Sequence, residues 1–174
     1  VVKLTSMLDS NYDSASEYII LNGTTRVDTT GTYIRHSRGV IVLSGSSGAN
    51  EGEINTRQKT TTANVTSVMP AGGGQSAICC NTVPRGKVWL VKDVSIQMAR
   101  ASGAAGSANC RFQVRPIGSG SWQTKRFPTI TDGTPYRDTP EGAIVIQEFA
   151  DVKWNVQSVS DNSTIVSAQF EYFE

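Results

Sequence analysis

The chain has 174 residues, 38% of them hydrophobic and 18% charged, with a formal net charge of +1. That length suffices to bury a core, while so mild a charge with no basic run speaks against a phosphate-binding footprint of clustered Lys and Arg. No stretch is long and apolar enough to cross a bilayer as a helix. The three cysteines, Cys79, Cys80 and Cys110, are odd in number and lack CxxC-type zinc spacing, so buried free thiols are the expectation.

Residues 1–16, "VVKLTSMLDSNYDSAS", hold no sustained period and read as an extended N-terminal arm. A start at Val1 with no charged-then-apolar leader is compatible with a processed chain. Asn22-Gly23 in "YIILNGTTRV" sits between two β-prone runs, a strong hairpin signal. Tyr33 to Leu43 is a further extended run, closed by the loop "SGSSGANEG". Glu53 to Gln58 reads as a short strand, and Thr60 to Gly74 as a weak strand followed by a glycine-rich loop.

Pro84-Arg85-Gly86 resembles a protease site from an expression vector, yet it runs straight into the β-rich "KVWLVKDVSIQMA". Proline presets an early turn angle and glycine accepts the positive one that follows. The motif is therefore read as a hairpin turn joining Ser76–Val83 to Val88–Ala99. After the small-residue loop "ASGAAGSAN", "CRFQVRPI" alternates, with Phe112 and Val114 on one face and Arg111, Gln113 and Arg115 on the other. "WQTKRF", Ala143–Phe149 and Val152–Val159 are further strands, and "SDNS" leads to the last, "TIVSAQFEYFE". There Val166, Ala168, Phe170 and Tyr172 face one way. Such alternation predicts one buried and one wetted face, as in antiparallel sheets. Many short strands with Gly-rich turns and no helical period predict an all-β fold: an antiparallel β-sandwich, jelly-roll-like, in a single domain over 17–174.

Chemistry was sought in the polar residues. His36 is the lone histidine, and no nucleophile-elbow motif accompanies it. Asp132, Asp138, Glu141, Glu148 and Asp151 are near one another in sequence, but they sit among turn residues where carboxylates serve the backbone. "SDNS" and "TDGT" are too thin for calcium, and "PAGGGQS" lacks the Lys-Ser/Thr of a phosphate cradle. The sequons at Asn22, Asn64 and Asn162 are chance matches in a Ser/Thr-rich chain. No catalytic, cofactor-binding or metal-binding residue is predicted, and neither a nucleic-acid nor a membrane partner. Trp89 and Trp154 lie in apolar strands and are expected in the core. Trp122 opens a strand among polar residues and is a candidate for partner or ligand contact. Val1, Val2, Leu4, Met7 and Leu8 of the arm are the other candidate contacts.

The order "LNGTT", "TYIR", "VLSGSSGANEGEI", "MPAGGGQS", "TVPRGKVWLV", "FQVRPIGSGSWQTK" and "SAQFEYF" resembles virion structural proteins of tailed bacteriophages that carry a β-sandwich module. The likeness spans roughly 18 to 173. Arg85 stands where that pattern has Ala, and Glu51-Gly52-Glu53 replaces a more neutral loop. The resemblance implies a non-enzymatic virion component, located on the capsid surface or in a fibre. A capsid decoration (cement) or head-fibre protein comes first, and a receptor- or carbohydrate-binding module of a tail fibre is the alternative. Its partners would be the major capsid protein, other virion proteins and copies of itself, a trimer among the possibilities.

Overall fold

The computed structural model describes residues 1–45, 48–61, 63–76, 78–100, 106–161 and 164–174, Arg100 by its backbone alone. Parts of the loops after residues 45 and 100, and of "SDNS" with the Asn162 sequon, lie outside the described residues. The fold is all-β, with fourteen strands, every named pairing antiparallel, and no helix among the described residues. The chain divides into two compact units, Val1–Ile78 and Cys79–Glu174, where one domain over 17–174 was expected.

The first unit contains β1 (Val2–Leu8), β2 (Ser14–Ile19), β3 (Arg38–Ile41), β4 (Ile54–Arg57) and β5 (Val65–Met69). The expected arm is in fact its central element: β1 lies between β2 and β3 in a three-stranded sheet. Its period is hidden by a bulge, because the register with β2 slips between Leu4 and Met7, where Ser6 takes a positive φ of 51°. The extra residue shifts the alternation, so Val2 and Leu4 and then Met7 and Leu8 are all buried. Val2, Leu4 and Met7 pack with Ile19 and with Met69 of the β4–β5 hairpin. At roughly 1.5–3 kcal/mol per buried apolar side chain, these are core residues.

Asn22-Gly23 does form a tight turn, with Thr25 N donating to Asn22 O at 3.0 Å and Gly23 at φ 55°. No second hairpin strand follows it. Glu17 instead accepts hydrogen bonds from Thr30 N, Gly31 N and Tyr33 Oη, so a carboxylate satisfies the returning chain in place of a ladder.

The second unit is a two-sheet sandwich. One sheet holds β6 (Cys80–Thr82), β13 (Asp151–Val159) and β8 (Ser107–Arg115), and then β9 (Gln123–Arg126) and β10 (Thr129–Thr131) along the far side of β8. Pro128 interrupts that last edge, and Cys110 N still donates to Pro128 O. The other sheet is built on β7 (Trp89–Arg100). It is flanked by β11 (Tyr136–Asp138) and β12 (Ile144–Ile146) on one side and by β14 (Thr164–Phe173) on the other. Phe112 and Val114 from β8 and Trp154 from β13 meet Trp89 and Ile96 from β7 in the core between the sheets. Phe112 stands 5.4 Å from Trp154 and 5.6 Å from Phe170 of β14, centroid to centroid.

Pro84-Arg85-Gly86 is a turn, closed by Lys87 N donating to Pro84 O, with Gly86 at φ 69°. It does not join a hairpin. β6 pairs with β13 and β7 with β14, β11 and β12, so the turn carries the chain from one sheet to the other. The reason lies in Val83, fully buried and bonded to the backbone of residues 149 and 150. Such shuttling between sheets is what a jelly-roll-like sandwich requires.

Candidate interaction surfaces

Trp122 lies half-buried on the outer face of the β6–β13–β8 sheet, where it meets two cations. The Arg115 guanidinium is 4.8 Å and Lys153 Nζ 4.2 Å from the ring centroid. Beneath them Gln113, on the outward side of β8, is buried and donates to Thr124 Oγ1. Arg115 also pairs with Asp151, its Nε 3.0 Å from Oδ2, and Asp151 Oδ1 accepts from Thr82 Oγ1 at 2.6 Å. The indole thus fastens the turn before β9 onto the sheet by cation–π contact, and little of its face is left for a ligand. Of the arm residues expected to meet a partner, Val2, Leu4, Met7 and Leu8 are core. Val1 is half-buried, its ammonium donating to Leu43 O.

The candidate polar groups disperse into structural pairs. Asp138 pairs with Arg126, and Glu148 accepts from Gly86 N at 2.7 Å. His36 Nε2 lies 3.0 Å from Ser67 Oγ, but that hydroxyl is buried. His36 Nδ1 is buried with no hydrogen-bond partner among the described residues, where a catalytic base would have an orienting acid. Burial pushes the His36 imidazole below the ordinary histidine range, and pushes the Cys79 thiol up to about 11. No cluster of metal-ligating side chains occurs among the described residues.

Two exposed features lie on the outer face of the β7 sheet, and the alternation that marked the buried face did not single them out. Val145, Leu90 and Phe173 are paired across β12, β7 and β14, making an apolar row exposed at 55%, 39% and 55%. Beside it, Asp93 is buried on the outward side of a bulge in β7 and takes Arg137 Nε at 2.5 Å. Next to Arg137 a shallow recess of about 260 Å³ opens, lined by Ser95, Gln97, Tyr136, Ser167 and Gln169. No local signal marked the row, since single exposed apolar residues are ordinary on a wetted strand face and the row forms only when β12, β7 and β14 pair.

No protein-family model matches this chain, and no curated protein or solved structure is significantly similar to it.

Proposed function

We propose that the chain is a non-enzymatic building block of a tailed-phage virion, a capsid decoration or head-fibre protein that binds the shell and its neighbours. The reading is carried by the exposed row Val145–Leu90–Phe173 on the outer face of the β7 sheet, an apolar strip of the kind that marks a protein contact. The motif order that resembles virion proteins supports it, since "TVPRGKVWLV", "FQVRPIGSGSWQTK" and "SAQFEYF" fall on turns and strands of an all-antiparallel fold. With β1 in the core, attachment falls to this row in place of an arm. Many copies sharing such small contacts sum to firm attachment through effective concentration on the shell.

The test adds purified protein to purified capsids and follows co-sedimentation. Binding is expected, weakened at least tenfold by Val145→Asp with Phe173→Asp. Absence of binding to any phage shell, or binding indifferent to both changes, would refute the reading. The recess lined by Ser95, Gln97, Arg137 and Gln169 favours a second reading, a receptor- or carbohydrate-binding fibre module. That reading predicts signal on a glycan array, lost in Gln97→Ala.

A further inference from the structure

The final strand has a free edge. β14 runs ten residues and, among the described residues, pairs on one side only, with β7. Where the register slips between Glu171 and Tyr172, the extra residue is Lys92, on β7, so β14 itself stays regular. It holds no proline and no lysine, and Glu171 is its one charge. These are the devices that ordinarily blunt an edge against pairing, and β14 lacks them.

Its backbone also points outward in a usable phase. Thr164 N donates to Asp161 O at 3.3 Å, outside the β7 ladder, so the backbone of Thr164 faces the free side. By the two-residue repeat, Val166, Ala168, Phe170 and Tyr172 present their N–H and C=O on the same free side. Along the same edge the core is unfinished. The inward residues Val166, Ala168 and Phe170 are half-buried, whereas Val94, Ile96 and Met98 opposite them on β7 are buried.

We propose that β14 pairs antiparallel with β14 of a second copy across a two-fold axis at Gln169, joining the two β7 sheets into one. The strand is self-complementary in this register. Ile165 and Phe173, exposed at 59% and 55%, are equidistant from Gln169 in sequence and fall opposite one another. Ser167 meets Glu171, so the carboxylate faces a hydroxyl and not its own image. On the inward side Ala168 opposes Phe170 and Val166 opposes Tyr172, small against large. Shifting the axis to Ala168 would set Ile165 against Glu171, and shifting it to Phe170 would set two Phe170 rings face to face. The inference adds a self-pairing edge to the building-block reading and rests on β14 geometry alone.

The full chain is tested by sedimentation velocity at micromolar concentration. A dimer is expected. Ala168→Pro removes an edge N–H outside the β7 ladder and should halve the sedimenting mass with an unchanged circular dichroism spectrum. If that variant unfolds, Ile165→Lys reads the same edge from a solvent-facing side chain. Under mild oxidation, with the unsubstituted chain as control for the native thiols, Gln169→Cys should give a covalent dimer. The two copies of residue 169 form a non-hydrogen-bonded pair with Cα atoms about 4.5 Å apart, within disulfide reach. Ser167→Cys should not, its copies lying about 14 Å apart. A monomeric parent chain, a dimer untouched by both edge variants, or equal cross-linking at 167 and 169 would overturn the pairing. A monomer that still coated capsids would end the edge pairing and leave the building-block reading standing.

Discussion

Replacing Arg115 by methionine should cost the second unit about 2–3 kcal/mol. The Asp151 side chain is 6% exposed and the Arg115 side chain 36% exposed. Removing one partner of a fully buried pair typically costs about 3–5 kcal/mol, because a charge is left without its counterion. Here a third of the guanidinium is already in water, which brings the figure nearer 2 kcal/mol. The lost cation–π contact with Trp122 adds about 0.5 kcal/mol, while methionine preserves the packing of the aliphatic stem. Urea unfolding followed by circular dichroism measures the cost. Arg115→Met with Asp151→Asn should recover about 1–2 kcal/mol relative to the sum of the single changes, since asparagine keeps an acceptor for Thr82 and carries no charge. A loss below about 0.5 kcal/mol, or additivity of the two changes, would show that the pair is an ordinary surface bridge and that Trp122 is not held by it.

Phe112→Ala, at a fully buried site between the sheets, should cost about 3–5 kcal/mol in the same assay. Gly86→Ala should cost about 1–2 kcal/mol, wholly from the backbone, because an added Cβ there meets nothing within 4 Å and only the positive φ resists it; Gly120→Ala, without that φ, is the control. His36 binds its proton less readily folded than unfolded, so stability should fall as pH drops from about 6.5 toward the lowered folded value, and be level in this respect above it. His36→Gln should flatten that slope in melting temperatures taken at pH 8 and pH 5. Burial raises both Cys79 and Cys110, so native protein at pH 8 should resist iodoacetamide at both, and urea should release them, read by peptide mass spectrometry.

The strands of the second unit were legible because their signal is local. In "CRFQVRPI" and "TIVSAQFEYFE" alternate residues differ in polarity, and in the fold Phe112, Val114, Val166, Ala168 and Phe170 do turn inward, while Tyr172 is exposed and stacks on Trp89. The core positions of Trp89 and Trp154 followed from apolar neighbours. β1 escaped notice because the bulge at Ser6 changes the phase of the pattern midway. Trp122 was read from its polar surroundings as free for a partner, whereas Arg115 and Lys153 reach it from β8 and β13. Of the candidate contacts, only surfaces formed across strands, such as Val145–Leu90–Phe173, were beyond a linear reading.

By itself the sequence determined an all-β chain, the tight turns at Asn22-Gly23 and Pro84-Arg85-Gly86 and the inward face of the strands in "CRFQVRPI" and "TIVSAQFEYFE", since these depend on residues two to four apart and on the φ that proline and glycine allow. Only the tertiary structure decided which strands are neighbours. Pro84-Arg85-Gly86 would suit a hairpin as well as a crossover, and the choice was made by burial of Val83 against the strand beginning at Asp151, distant in sequence. Partner choice is a competition among long-range burials of similar local patterns. It also sets which strand is left at an edge, as β14 is.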